Sequence, residues 1–202
     1  RIIKPNQKMT QKQIPKNWQE VELKDIIKRV ENGNRPKGGV SGIKEGILSI
    51  GGEHIDKFGR FNFTNLRFVS KEFYYKQNRG HIMIGDVLVV KDGATTGRVS
   101  IVLSENFPHG KALVNEHVFI LRSNKMIVDP KFLFYYLYSS NGQKRILDNF
   151  HGSAQGGINT QFVKNVKIPL PFSNNSSDLK EQQRIVSILE KAEALKTRNK
   201  KV

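Results

Sequence analysis

Three stretches of the sequence combine Arg, Lys, Asn, Gln, Thr and His side chains with neighbouring glycines. Arg and Lys bind phosphate oxygens and guanine edges, and the amides of Asn and Gln match the edge of adenine. The glycines permit backbone conformations that allow a loop to approach a groove closely. We therefore interpret the stretches as candidate nucleic-acid contacts. The candidate residues are Arg35 and Lys37 in the first stretch, Lys91, Thr95, Thr96 and Arg98 in the second, and His151, Ser153, Gln155, Asn159 and Gln161 in the third.

Two of these stretches also have an ordinary structural explanation. The second, Lys91 to Arg98, has the composition of an exposed hairpin tip between two strands. The third, His151 to Gln161, has the composition of a flexible linker in front of a strand. The residues alone leave both interpretations open.

The chain carries a large positive charge. Its 34 Lys and Arg residues outnumber 18 Asp and Glu residues, which gives a formal net charge of +16. Without the five basic residues between Lys191 and Lys201 the charge is still about +11, so it belongs to the body of the chain. Such a field attracts phosphate polyanions and makes nucleic acid the first partner to expect. An anionic membrane surface is a weaker alternative, because no basic amphipathic stretch with bulky apolar anchors occurs.

The absence of cysteine excludes disulfides, thiolate nucleophiles and cysteine-ligated zinc. No apolar run approaches the roughly 18 residues that a membrane-spanning helix needs. Arg1 to Lys4 lead into polar residues and not into the apolar core of a signal peptide. We therefore expect a cytoplasmic chain without membrane contact.

Familiar catalytic patterns are missing from the sequence. There is no Gly-x-Ser-x-Gly elbow, no Walker lysine after a glycine loop and no His-Glu-x-x-His. The five histidines are far apart, and the adjacent pair Glu116-His117 is predicted to point to opposite faces of a strand. Asp86 and Asp92 are the only neighbouring carboxylates of interest, and Asp86 is expected to cap a turn after Gly85. We predict no catalytic residues, no metal site and no cofactor.

Mixed strands and helices without strict alternation predict an α+β fold. Apolar β-branched runs indicate strands, and spacings of three and four indicate helices. Ser70 is expected to cap a short helix. The predicted strands are 47–50, 86–91, 98–103 and 117–122, and the predicted helices are 23–30, 130–139, 143–150 and one that begins near Asp178.

The last predicted helix has an apolar seam. Its residues Ile185, Ile188, Ala192 and Leu195 recur with spacings of three, four and three, as the a and d positions of a coiled coil do. A seam of barely two heptads is too short to stabilise itself. The helix therefore packs either on its own domain or on a partner helix, and periodicity favours neither.

The order of several segments resembles the specificity subunit of type I restriction-modification systems. A glycine-rich loop (His151 to Gly157) precedes Ile168-Pro169-Leu170-Pro171, which precedes Glu181-Gln182-Gln183-Arg184-Ile185-Val186 and the seam. No single motif is specific, but the ordered set covers about nine tenths of the chain, from Ile14 to Asn199. The upstream segments that match are Trp18 to Leu23, Gly85 to Val89, Gly93 to Arg98, Asn115 to Val118 and Phe132 to Leu137.

The resemblance implies a mixed-sheet target-recognition domain followed by a long coiled-coil-type helix. The boundaries expected are a polar lead-in at 1–13, the recognition domain at 14–176 and the start of a spacer or dimerisation helix at 177–202. Base-reading loops differ between members of the family, so the resemblance assigns no base contact. It assigns a helix–helix interface to Leu179, Gln182, Ile185, Ile188, Ala192 and Leu195.

The resemblance also implies partners. A modification subunit would bring S-adenosylmethionine and methylation, and a restriction subunit would bring ATP hydrolysis and cleavage, while this chain would bind double-stranded DNA. A full family member has two recognition domains and two helices, so the chain is either a fragment or a half-subunit that forms a homodimer through its helix. The alternatives from other classes are a stand-alone nuclease or methyltransferase and a non-specific RNA- or DNA-binding module.

Overall fold

A computed structural model describes residues 14–152 and 156–199 of the chain, so the predicted lead-in at 1–13 lies outside the described residues. Helices and strands are mixed along the chain, which confirms the α+β prediction. The strands are β1 (Trp18–Glu22), β2 (Ile27–Asn32), β3 (Ile47–Ile50), β4 (Phe68–Val69), β5 (Asp86–Val90), β6 (Val99–Ile101), β7 (Ala112–Val114), β8 (Val118–Ser123), β9 (Phe150–His151), β10 (Gly157–Ile158), β11 (Lys167–Ser173) and β12 (Ser176–Ser177). The helices are α1 (Leu23–Ile26), α2 (Lys71–Lys76), α3 (Pro130–Tyr138), α4 (Ser140–Leu147), α5 (Phe162–Asn165) and α6 (Leu179–Asn199).

Four antiparallel strands in the order β2-β8-β5-β6 form the centre of the fold. Successive side chains of a strand point to opposite faces, and both faces of β5 and β8 are covered. Val87, Val89 and Leu121 belong to one core, and Leu88 and Ile120 belong to another. This double burial explains why both strands are almost continuous apolar runs in the sequence.

Different elements cover the two faces of the central sheet. On one side α3, α4, α5 and the three-stranded sheet β1-β11-β12 pack against it, with Trp18 half-buried at the edge of this core. On the other side lies the sheet β4-β3-β7, in which β3 and β7 are parallel. Phe61, Phe63 and Phe107 close this second core with ring centroids 5.1–5.7 Å apart.

Most predicted elements are confirmed, with ends that differ by a few residues. The exception is the helix predicted at 23–30, which is wrong beyond its first turn because Ile27–Asn32 is strand β2. Pairing with β8 satisfies the backbone groups of this segment, and the helical turn before it still buries Leu23 and Ile26. Its apolar spacing suited either structure, and the free edge of β8 decided between them.

Helix α4 begins three residues before the predicted start. The Ser139 hydroxyl caps it by accepting a hydrogen bond from the backbone N–H of Gly142 at 3.2 Å. Gly142 lies so close to α3 that a Cβ atom there would be 2.0 Å from the Tyr136 carbonyl oxygen. Gly142 therefore permits close packing between α3 and α4.

The long helix α6 starts on the Asp178 side chain, which accepts a hydrogen bond from the Glu181 N–H at 3.0 Å. Its first turns pack on this domain through Val186 and the fully buried Gln182. The Gln182 amide donates to the Ile127 carbonyl (3.1 Å) and to Ser177 Oγ (2.7 Å), and its oxygen accepts from the Asp129 N–H (2.9 Å). Gln182 thereby joins α6 to the segment that leads into α3.

Further along, charged side chains hold α6 beside α3. Lys131 Nζ lies 2.7 Å from the Glu190 carboxylate, which raises the pKa of Lys131, and the Tyr135 hydroxyl donates to Glu193 at 3.0 Å. Burial, together with the Glu193 carboxylate, raises the pKa of Tyr135. Among the described residues no helix, α6 included, is long and apolar enough to cross a membrane.

Gln182, which was expected at an interface with a second helix, has its side chain fully buried and hydrogen-bonded within this domain. Leu179 and Ile185 are half-buried, with Ile185 against the main core. Ile188 and Leu195, by contrast, are 51% and 60% exposed, and Ala192 is exposed as well. One face of the helix thus lies on its own domain. Ile188 and Leu195 form an apolar stripe that faces outward, and Ala192 lies at its border, where it also lines a groove with Trp18 and α3.

Replacing Gln182 tests how α6 is attached. In the variant Gln182→Ala, the Asp129 N–H and the Ile127 carbonyl lose a buried partner, and we expect the free energy of unfolding to fall by about 2 kcal/mol. The exposed neighbour allows a matched control, Gln183→Ala, with an expected change within about 0.5 kcal/mol. Urea denaturation of both variants measures this. Equal effects would contradict the role given to Gln182.

Candidate nucleic-acid interface

The three candidate stretches meet at one end of the central sheet. Val90, the last residue of β5, pairs with Val118, the first residue of β8, and Asn32 at the end of β2 pairs with Phe119. Since these strands are antiparallel, the stretch that follows β2, the hairpin that follows β5 and the turn that precedes β8 all emerge at the same edge. The third stretch reaches this edge through β10.

Arg35, from the first stretch, binds the turn before β8. Its Nε lies 2.5 Å from the Glu116 carboxylate, and its Nη2 lies 3.4 Å from His117 Nε2. Lys37, two residues on, is exposed beside Gly38 and Gly39, which have positive φ angles of 82° and 79°. The first stretch is therefore tied down at Arg35 and presents Lys37 to solvent.

Asp92, at the start of the hairpin tip, is the centre of the charged contacts. Its carboxylate lies 2.5 Å from His117 Nδ1 and 3.0 Å from Lys91 Nζ. The Lys91 N–H also donates to the His117 carbonyl at 2.9 Å. Together with Arg35 and Glu116 these residues form one connected cluster, which we call the loop cluster: Arg35, Lys91, Asp92, Glu116 and His117.

The third stretch is attached to the same hairpin by its backbone. Gly157 forms a bridge with Asp92, and the Ile158 N–H donates to the Lys91 carbonyl at 2.7 Å. A Cβ atom at Gly157 would lie 2.9 Å from the Lys91 carbonyl oxygen, so this approach requires glycine. His151 pairs with Gly157 in the small sheet β9-β10 and is exposed, whereas Ser153 and Gln155 lie outside the described residues.

The remaining candidates have local roles. Thr96 Oγ1 donates to the Gly93 carbonyl at 2.6 Å within the hairpin tip, and Thr95 Oγ1 reaches the Gly52 carbonyl at 3.3 Å. Arg98 is partly buried and donates from Nη1 to the Ile55 carbonyl at 2.9 Å, which turns it away from the loop cluster. Asn159 accepts from the N–H of Gln161 at 2.9 Å, and both side chains are exposed.

Three members of the loop cluster, Asp92, Glu116 and His117, were not among the sequence candidates. The expectation that Glu116 and His117 point apart is wrong, because they lie in a turn in front of β8 and not in the strand. The Asn115 side chain makes this turn by accepting a hydrogen bond from the His117 N–H at 2.9 Å. An Asn before a polar pair is the typical start of such a turn, and it is the signal that could have identified it.

The charges of the loop cluster balance when His117 is neutral. Arg35 and Lys91 each face a carboxylate, so the cluster by itself has little excess positive charge to attract a phosphate. What it does is hold three loops in fixed relative positions, with a set of cationic, amide and hydroxyl side chains around it. Such preorganisation lowers the entropy that the loops lose on binding. Among the described residues no group of three or more Asp, Glu or His side chains is arranged to hold a metal ion.

Comparison with known proteins identifies one family. The family model described as "Type I restriction modification DNA specificity domain" matches residues 15–202. Two similar proteins are from Methanocaldococcus jannaschii. They are the specificity subunit of the type I restriction enzyme MjaVIII, 26% identical over 88% of this chain, and the putative MjaX specificity subunit, 31% identical over 88%. The chain spans only 41% and 40% of their lengths.

Solved structures give the same fold. A chain from a study of complex assembly and conformational transition in the type I R-M system superposes with a TM-score of 0.68 at 19% identity over 96% of this chain. The HsdS subunit from Thermoanaerobacter tengcongensis superposes with a TM-score of 0.62 at 21% identity over 95%. The chain covers 42% and 45% of these two structures.

Removing the Asp92 carboxylate tests whether the loop cluster orders the loops. In Asp92→Ala, His117 and Lys91 lose their shared partner, and we expect the Lys91 and Ile158 amides to exchange hydrogen about fivefold faster, equivalent to about 1 kcal/mol. The control is Asp148→Ala, which removes an exposed carboxylate paired with Lys144 on α4. Exchange that is unchanged at both amides in Asp92→Ala would contradict the ordering role.

Proposed function

This chain belongs to the family of type I restriction modification DNA specificity domains, and we propose that it reads bases in duplex DNA for a type I restriction-modification complex. The observation that carries the proposal is the convergence of three polar loops at one edge of a doubly covered sheet. Rigid elements hold the base of each loop, and the exposed residues between them are of the types that contact base edges and phosphates.

The proposed recognition domain comprises residues 14–176, and the start of the proposed spacer or dimerisation helix falls within 177–202. Within the domain, Lys37, Thr96, His151, Asn159 and Gln161 supply direct contacts, while Arg35 and Lys91 act mainly by positioning the loops. Thr95 and Arg98 support the hairpin through the carbonyls of Gly52 and Ile55. Ser153 and Gln155 remain candidates for contact from sequence. This assignment separates residues that touch DNA from residues that hold the loops.

Affinity and specificity have different sources in this proposal. A net charge of +16 supplies sequence-independent attraction to phosphates, which weakens as salt is added. Base contacts from the loops supply the difference between target and random DNA. Catalysis is assigned to partners: a modification subunit would methylate the DNA with S-adenosylmethionine, and a restriction subunit would cleave it with ATP hydrolysis. The chain itself would need no cofactor and would act in the cytoplasm.

The outward stripe of α6 is proposed to pack on a second helix of the same kind. Ile188 and Leu195 form it, with Ala192 at its border, and Ile188 and Leu195 are large apolar side chains that the domain leaves exposed. Spacings of four and three residues suit the seam of a two-stranded coiled coil. The second helix would come from a second recognition domain in a longer protein or from another copy of this chain. In a homodimer, two-fold symmetry would require a symmetric, interrupted DNA site.

Selection from a randomised duplex library tests base reading. We expect a short motif to be enriched at near-physiological salt, because specific protein–DNA complexes are typically at least 10³-fold tighter than non-specific ones. The selection is run with the chain alone and with the modification subunit present. Enrichment in either case supports the proposal. Binding without enrichment in both cases, with affinity that simply decays with salt, would overturn it.

Charge placed in the outward stripe tests the helix pairing. We expect Ile188→Glu with Leu195→Glu to abolish self-association, since four carboxylates would face one another across the seam. The matched control is Ser187→Glu with Ala194→Glu, which adds the same charge at the same spacing to exposed positions outside the stripe. Sedimentation equilibrium at micromolar concentrations compares the three proteins. A dimer that survives in the first variant and is lost in the control would place the interface elsewhere.

A further inference from the structure

A tight turn outside the candidate loops presents an aromatic ring between two cations. Phe58 is 48% exposed, although it is flanked by residues of an ordered turn. Lys57 Nζ lies 5.1 Å from the centre of its ring, and the Arg60 guanidinium carbon lies 4.9 Å from it. We call residues Asp56 to Arg60 the basic aromatic turn.

The turn is held rigid by one carboxylate. Asp56 accepts hydrogen bonds from the Phe58 N–H at 2.8 Å, from the Arg60 N–H at 2.9 Å and from Arg60 Nε at 3.0 Å. Gly59 has a positive φ of 75°, and a Cβ atom there would lie 2.9 Å from the Phe134 ring. The exposure of Phe58 is therefore fixed by the fold and does not come from a loose loop.

The turn lies beside the candidate interface. The Ser100 hydroxyl donates to the Gly59 carbonyl at 2.9 Å, which ties the turn to β6. Arg98 donates to the carbonyl of Ile55, just before the turn. Lys57 and Arg98 line a cavity of about 530 Å³ together with Ser140 and Gln143 from α4. The second candidate stretch and the basic aromatic turn are thus adjacent parts of one surface.

The charged residues of this surface differ in whether they already form an ion pair. Arg60 is paired with Asp56, which also lines the cavity. On the opposite side of the turn Glu190 is paired with Lys131. Lys57 has no ion pair among the residues that the structure describes, and its ammonium group lies over the Phe58 ring. Its charge is therefore the one in the turn that an incoming anion would meet without displacing a carboxylate.

We propose that the basic aromatic turn binds the sugar–phosphate backbone of duplex DNA beside the bases that the loops read, an inference that rests on the proposed function. Lys57 binds a phosphate, and the exposed Phe58 ring packs on the sugar next to it. A phosphate contact of this kind fixes the register of the domain on the duplex and carries no sequence information. It contributes equally to target and non-target DNA.

The test measures affinity for the selected duplex and for a scrambled duplex across a salt series. We expect Lys57→Gln to weaken binding of both duplexes about tenfold at 50 mM salt and to reduce the slope of log K against log salt by about one. Lys57→Arg should retain the wild-type slope, and Phe58→Ala should weaken both duplexes without changing the slope. The matched control is Lys28→Gln, an exposed lysine on β2 near the opposite end of the central sheet.

The outcomes separate the two proposals. If the wild-type chain prefers the selected duplex and Lys57→Gln has the same slope as wild type, the backbone contact is wrong and base reading stands. An equal reduction of affinity and slope in Lys57→Gln and Lys28→Gln would also overturn the backbone contact, because the effect would then come from net charge alone. If the wild-type chain shows no preference between the two duplexes, even with the modification subunit present, the proposed function itself is contradicted. A loss confined to the selected duplex would assign Lys57 to base reading and contradict the proposal.

Discussion

Asp86 and Arg122 are direct cross-strand partners in β5 and β8, and they are joined by two hydrogen bonds of 2.8 Å in a site where Asp86 is 1% exposed. The hydrogen bonds to the Asp86 carboxylate raise the pKa of Arg122. The register of the central sheet depends on this pairing. Both faces of β5 and β8 are apolar, so the hydrophobic pattern alone would tolerate a shifted register. A shift would separate a buried carboxylate from its cation, at a cost of about 3–5 kcal/mol. The same register sets Val90 against Val118 at the far end, and that places Lys91 and Asp92 beside His117.

Because the loops meet at one edge of the sheet, some charged residues there are paired and position the loops, while others have no ion pair among the described residues. At the loop edge the cations Arg35 and Lys91 are matched by carboxylates, so that their main effect is to fix the loops. In the proposed complex, a cation that has no such partner, as at Lys57, would bind a phosphate. A protein that read DNA with unpaired charges on mobile loops would lose more entropy on binding and would distinguish bases poorly from backbone. If the proposed function holds, positioning the loops with balanced charges and attracting DNA with other charges would avoid both problems.

The sequence alone predicted those elements that depend on short-range signals, such as apolar β-branched runs and helix N-caps. The runs at 47–50 and 86–91 are β-branched and apolar, and the N-caps at Ser70 and Asp178 act within one turn. The failures have two causes. Ile27–Asn32 is a strand because β8, distant in sequence, offers an edge. Glu116 and His117 come together because the neighbouring Asn115 forms a turn, which is a local signal that the strand prediction overlooked. The contact residues were proposed one loop at a time, whereas the cluster that joins the loops needs residues 25 and 82 positions apart in sequence.

Helix α6 illustrates the same limit of prediction from sequence, and here the limit concerns the proposed function. Its sequence contains two faces that could pack, one through Gln182 and Val186 and an apolar one through Ile188 and Leu195, and periodicity alone cannot say which one the domain covers. The fold covers the first, with three hydrogen bonds to a single buried amide. A helix attached in this way has a fixed direction relative to the loop edge, because rotating it would leave the buried Gln182 amide without hydrogen-bond partners. In the proposed assembly the loops would then decide which bases are read, and the helix would decide how far apart the two halves of the site lie.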